Sequence, residues 1–123
     1  MLNSYRDLTR DISAELGKLR TEIPETLQAF HALGKAASAE GALDKKTKEL
    51  IAVALSVAAR CDPCVGFHLQ ALVKLGATRA ELADVLAMAV YMGGGPSLMY
   101  AAKASAAFDE FSAAAAAATP VSA

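Results

Sequence analysis

Apolar positions recur at three- and four-residue steps along most of the chain. Tyr5, Leu8, Ile12, Leu16 and Leu19 make one stripe and predict a first helix ending near Thr21. Pro24 suits the first turn of a second helix, where its missing N–H has no intrahelical bond to lose. That helix carries Leu27, Phe30, Leu33 and Ala37 before Gly41 closes it. Asp44 is a natural cap for a third helix from about Lys45 to Ala59, whose Leu50, Val53, Ala54 and Val57, together with Ile51 and Leu55, give it two apolar faces and a central place.

Arg60 to Pro63 interrupt the pattern, because the residue before a proline disfavours helical geometry. A fourth helix is expected from about Pro63 to Leu75, stopping at Gly76. Thr78 and Glu81 have capping-box spacing, and Leu82, Val85, Leu86, Ala89 and Met92 supply a buried face to the fifth helix. Gly93-Gly94-Gly95-Pro96 breaks the chain before a last helix with Leu98, Ala101, Ser105 and Phe108. The alanines from Ala113 to Ala118 either fray from that helix or pack on a neighbour, and Pro120 ends any helix there. Met88, Met92 and Met99 read as core filler. Strand-like alternation is absent, so the expected class is all-α, with about six helices in one domain over residues 1–123 and an alanine-rich tail at 113–123.

Composition changes this picture in two ways. At 123 residues the chain suits one ordinary domain, and its 54% hydrophobic content is rich in alanine, which buries little area per residue. Completing such a core by helix contacts between copies is reasonable, so a homo-oligomer is expected. Lys+Arg 12 against Asp+Glu 13 gives no support to nucleic-acid or membrane-surface binding. MLNSYRDLTR has no continuous apolar signal region, and the stretch from Leu50 to Ala59 is half the length of a membrane span, so a soluble cytoplasmic protein is expected.

Candidate chemistry lies in Arg60-Cys61-Asp62-Pro63-Cys64-Val65-Gly66-Phe67-His68. Two cysteines three positions apart cannot staple distant segments; in a reducing compartment they suit metal binding or redox work. Cys64 in the first turn of a helix meets unpaired N–H groups and a positive dipole end, both of which favour the nucleophilic thiolate. His68, one turn later, shares its face and could exchange a proton with it, while Cys61 is near enough to close a disulfide. Cys61, Cys64 and His68 could instead supply three zinc ligands, but Asp62 sits inside the bend, His31 is remote and no second cysteine pair exists. Glu49 reads first as a first-turn carboxylate pairing with Lys45 or Lys46; ~18 Å of helix separate it from Cys61, so contact requires the fourth helix to fold back across the third. His31, Tyr91 and Tyr100 read as satisfied core or interface residues, and the glycine run lacks the context of a phosphate-binding loop.

Taken together, Gly41-Ala42-Leu43-Asp44, Thr47-Lys48-Glu49-Leu50-Ile51, the Cys61–His68 segment, Gly76-Ala77-Thr78 and Met92-Gly93-Gly94-Gly95-Pro96 resemble the carboxymuconolactone decarboxylase family over about residues 27–106. The likeness is to its short, single-repeat members with an alkylhydroperoxidase-D-like site: a glutamate, eleven residues, C-x-x-C, three residues and histidine. The resemblance implies an all-helical subunit forming trimers or hexamers, and a peroxidase reset by a dithiol electron donor; no cofactor or metal is expected. Carried over, Cys64 attacks the hydroperoxide, Cys61 resolves the sulfenic acid as a disulfide, and His68 and Glu49 move protons. The members that give the family its name lack the cysteine pair, so lactone decarboxylation is not expected. The known peroxidases carry a second histidine immediately before the attacking cysteine, where this chain has Pro63. A disulfide reductase or redox sensor using the same dithiol, and a non-catalytic or metal-binding oligomer, are the alternatives.

Overall fold

The structure, a computed structural model, describes residues 4–118. Among them run six helices: α1 Tyr5–Glu22, α2 Pro24–Ser38, α3 Lys45–Ala58, α4 Asp62–Lys74, α5 Arg79–Gly93 and α6 Gly95–Ala118. The all-α expectation holds, and the alanines 113–118 continue α6. The expected stop at Pro120 lies outside the described residues.

The helix starts follow from local chemistry. Ser4 accepts from the Asp7 N–H, Asp44 from the Thr47 N–H, and Thr78 exchanges bonds with Glu81 in a full capping box. Between α5 and α6 the glycine run leaves only Gly94 outside a helix, at φ 74°, so the chain turns on one left-handed residue.

Val53 and Val57 of α3, Val65, Leu69 and Leu72 of α4, Leu82 of α5 and Ala104 of α6 are fully enclosed. Each of the larger side chains contributes about 1.5–3 kcal/mol by leaving water. Ala101, Ala104 and Ala107 let α6 lie close to its neighbours, and Phe108 and Phe111 fill the space beyond. α4 crosses α1 at Gly66: a Cβ there would stand 2.6 Å from Thr9 Cγ2 and 3.3 Å from Tyr5 Cδ1. Glycine is what allows α1 so near the segment that carries the cysteines.

Several expected core positions face outward. On α1, Tyr5 is buried and Leu8 and Ile12 are half-buried, while Leu16 and Leu19 are exposed. No residue of α2 is buried; it touches only α1 and α3, and Phe30 is 71% exposed. α3 packs against α2, α4, α5 and α6 but covers only its Val53–Ser56–Val57 face, leaving Ile51 and Leu55 exposed. Met88, Met92 and Met99 are exposed rather than core filler, as is Leu98, because α5 and the start of α6 each bury a single face. No helix of the described residues is long and apolar enough to cross a membrane.

Candidate functional site

The connection between α3 and α4 builds the site. Arg60 takes a left-handed conformation at φ 57°, its N–H reaches the Val57 carbonyl at 3.1 Å, and the Cys61 N–H reaches the Ser56 carbonyl at 3.2 Å. This pair of bonds is a Schellman closure, here with arginine where glycine is usual. A non-glycine residue in this region carries about 1–2 kcal/mol of backbone strain. The closure delivers Cys61 straight into the N-cap of α4, with Asp62, Pro63 and Cys64 as the first three helical residues. The helix therefore starts one residue earlier than the proline suggested.

Cys61 and Cys64 are joined by a disulfide, with their Cα atoms 5.2 Å apart. The Cys64 N–H donates to Cys61 Sγ at 3.3 Å, so sulfur occupies the capping place usually held by an oxygen. Both sulfurs thus lie at a helix N-terminus, where backbone dipoles favour negative charge. The expected first-turn position of Cys64 is observed, and the capping contact belongs to Cys61.

α4 folds back along α3, which brings His68 to Glu49. His68 Nδ1 and Glu49 Oε2 are 2.8 Å apart; the Glu49 side chain is 16% exposed and that of His68 41%. The contact that helix spacing alone made doubtful is present, because the reversal at Arg60 pairs the second turn of α4 with the start of α3. With Nδ1–H donating to the carboxylate, a neutral imidazole keeps its lone pair on Nε2, the form of a general base. Cys64 and His68 stand one helical turn apart, ~6 Å along the axis. Glu49, His68, Cys64 and Cys61 therefore follow one another along the α3–α4 pair. Lys46, one of the two partners expected for Glu49, instead pairs with Glu81 at 2.9 Å.

Asp62, between the cysteines, has its own anchors. Its carboxylate accepts from the Tyr5 hydroxyl at 2.6 Å, and Lys103 Nζ lies 3.0 Å from Oδ2 and 2.9 Å from Oδ1. Partial burial works to raise this carboxyl, but the Tyr5 hydrogen bond and the Lys103 ammonium together hold it below the ordinary carboxylate range. Burial, followed by the bond to Asp62 and that carboxylate's charge, pushes the Tyr5 phenol well up, so it remains a donor. Lys103 also stands 4.6 Å over the Tyr100 ring. Sequence reading missed this cluster: Tyr5 was one member of an apolar stripe, and nothing local links positions 5, 62 and 103.

The remaining candidates are elsewhere. His31, on α2, and Tyr91, on α5, are exposed. A groove of about 450 Å³ between α1, α4 and α6, lined by Arg6, Arg10, Ser13, Phe67 and Gln70 among others, includes none of the four predicted site residues. Among the described residues no group of three or more His, Cys, Asp or Glu side chains has the arrangement to hold a metal ion, Cys61, Cys64 and His68 included.

The sequence model of the carboxymuconolactone decarboxylase family matches residues 24–107. An uncharacterized protein of Cupriavidus necator is 47% identical over 113 residues, covering 92% of this chain and all of that one. An uncharacterized protein of the cox locus of Paracoccus denitrificans is 38% identical over 98 residues, 80% of this chain and 88% of its own. A crystal structure of a carboxymuconolactone decarboxylase family protein from Legionella pneumophila superposes with a TM-score of 0.86 at 61% identity, covering 88% of this chain and 96% of that one. A Thermotoga maritima protein of the same family gives a TM-score of 0.72 at 28% identity over 89% of this chain and 99% of that one.

Proposed function

The chain belongs to the carboxymuconolactone decarboxylase family, and from that premise we propose that it reduces hydroperoxides through a Cys61/Cys64 dithiol. The observation that carries this reading is the alignment of a cysteine pair at the start of α4 with a histidine one turn on that is itself bound to Glu49. The fold and the bonded pair support thiol redox work in general. An antioxidative response has been suggested for the Thermotoga maritima relative.

In the reduced state His68 takes the proton of the Cys64 thiol, and Glu49 balances the imidazolium. The Cys64 thiolate attacks the terminal oxygen of the hydroperoxide; the S–O bond forms as the O–O bond breaks, leaving Cys64 sulfenic acid and an alkoxide that recovers the proton from His68 as alcohol. The Cys61 thiol then displaces water from the sulfenic sulfur, giving the Cys61–Cys64 disulfide. A dithiol donor returns two electrons and two protons and leaves as its own disulfide. Donors of that kind belong to a reducing compartment such as the cytoplasm. Pro63 cannot move a proton, so the relay runs through His68 and Glu49 alone.

The same Pro63 favours one second reading, a disulfide reductase or redox sensor, since thiol–disulfide exchange needs no proton at position 63. The deciding experiment adds substoichiometric hydroperoxide to the reduced protein and follows disulfide formation, then compares turnover with hydroperoxides and with small disulfides. Peroxide-dependent turnover lost in Cys64→Ser is expected. Turnover that survives in that variant would overturn the assignment. The exposed side chains Phe30, Leu33, Leu55, Met88 and Met92 support a homo-oligomer, trimeric or hexameric by likeness to the family.

A further inference from the structure

Asp62 is the one acidic residue inside the cysteine loop, and it is held by two other helices. A carboxylate beside two thiols opposes their ionisation by like-charge repulsion, and thereby works against the helix dipole that favours the thiolate. The arrangement around it reduces that repulsion. Lys103 of α6 meets both carboxylate oxygens, and Tyr5 of α1 donates to Oδ1. The side chains of Asp62 and Lys103 are about two-thirds buried, so water screens the pair only partly. The partners are fixed in turn: the Tyr5 N–H is bound by Glu110 of α6 at 2.7 Å, and Gly66 leaves room for the Tyr5 ring against α4.

The geometry points to Lys103 and Tyr5 as positioning residues that dock the Asp62 turn against α6 and α1, neutralise its carboxylate, and so keep the Cys61/Cys64 thiols reactive. This rests on the reading of the pair as a working dithiol. The charged and titratable groups around the turn are Arg60 at its start, Tyr5 from α1, Tyr100 and Lys103 from α6, and His68 with Glu49 from α4 and α3. Lys103 is the cation placed directly on the Asp62 carboxylate. Its removal leaves a bare negative charge in the loop, whereas removing Asp62 leaves a bare positive one. The two single changes must therefore move thiol ionisation in opposite directions, and the double change must return it toward the starting value.

The test titrates the ultraviolet thiolate absorbance of the reduced full-length protein against pH. Lys103→Met is expected to raise the thiolate midpoint by about one pH unit and Asp62→Asn to lower it by a similar amount. Asp62→Asn combined with Lys103→Met should lie near wild type, and Lys103→Arg should keep the wild-type midpoint. Tyr5→Phe, which preserves the ring packing and removes only the donor, should give a smaller rise. Midpoints unchanged in Lys103→Met and Tyr5→Phe would overturn the proposal, as would both single changes shifting in the same direction, since a merely structural role predicts that. Peroxide turnover, measured separately, distinguishes the two levels of inference. Shifted midpoints in a protein that turns over no hydroperoxide would overturn the peroxidase reading and leave the docking role standing; unshifted midpoints with normal turnover would do the reverse.

Discussion

Glu49 and His68, nineteen positions apart, meet at 2.8 Å across the α3–α4 pair. The carboxylate fixes the imidazole orientation through Nδ1. Replacing Glu49 by Gln keeps an oxygen acceptor there but removes the negative charge that, in the proposed relay, balances the imidazolium. Peroxide turnover should fall about 10- to 100-fold, less than the ~10²–10⁴-fold typical of a general base itself because glutamine still orients the imidazole, while thermal stability changes little. Steady-state rates with a hydroperoxide, paired with a melting curve, check this. Wild-type turnover in Glu49→Gln would remove the carboxylate from the relay.

Acid and alkali should act on opposite ends of the Tyr5–Asp62 bond. Asp62 has a folded-state pKa below its unfolded value, so its contribution is fully present above the ordinary carboxylate range and is lost as pH falls through the folded value. The Tyr5 phenol is raised, so its contribution is present below the ordinary phenol value, ~10, and is lost as pH rises through the folded one. Denaturant midpoints across pH should show Asp62→Asn flattening the acid limb and Tyr5→Phe the alkaline limb. A variant losing equal stability at every pH would contradict this linkage.

The structure also shows why some of this was readable from sequence and some was not. Asp44, Thr78 and Glu81 act within one turn, and their bonds were legible from spacing. The first-turn place of Cys64 was legible for the same reason. Glu49–His68 was not legible from spacing, because it depends on the chain reversing at Arg60, and that reversal uses a left-handed residue without a glycine to announce it. The resemblance supplied it instead. Phe30, Leu33 and Met92 failed differently: periodicity tells which side chains share a face, but not whether this chain provides something to cover it. Tyr5–Asp62–Lys103 joins three helices, and no local pattern encodes that.

Gly66→Ala should destabilise the α1–α4 crossing by about 1–3 kcal/mol, since the added Cβ would stand 2.6 Å from Thr9 Cγ2. Combining it with Thr9→Ser removes that methyl and should recover part of the loss; the Tyr5 ring edge at 3.3 Å limits the rest. A double-mutant cycle in denaturant measures the coupling. Strict additivity would mean that the helices separate rather than clash locally.

The exposed face of α2 should matter for assembly more than for the fold of the subunit. Phe30 and Leu33 are exposed on a helix with no buried residue, so Phe30→Glu with Leu33→Glu should leave helical content intact while lowering the sedimenting mass. Analytical ultracentrifugation at several concentrations reads this directly. An unchanged assembly would place the interface on the α3 and α5 faces instead.

Cys61 caps α4, and in the proposed function it also resolves the sulfenic acid. Serine retains a side-chain acceptor for the Cys64 N–H, whereas alanine does not. Cys61→Ser should therefore fold with a stability close to the reduced wild type, and Cys61→Ala should lose about 0.5–2 kcal/mol, the usual range for a deleted cap. Both should consume about one equivalent of hydroperoxide and then stop, because Cys64 sulfenic acid has no resolving thiol. Mass spectrometry of the trapped sulfenic acid and denaturation of the reduced variants separate the two effects. Continued turnover in Cys61→Ser would mean that an external thiol resolves Cys64 directly, whereas equal stability of the two variants would show that a side-chain acceptor at position 61 contributes nothing to the helix start.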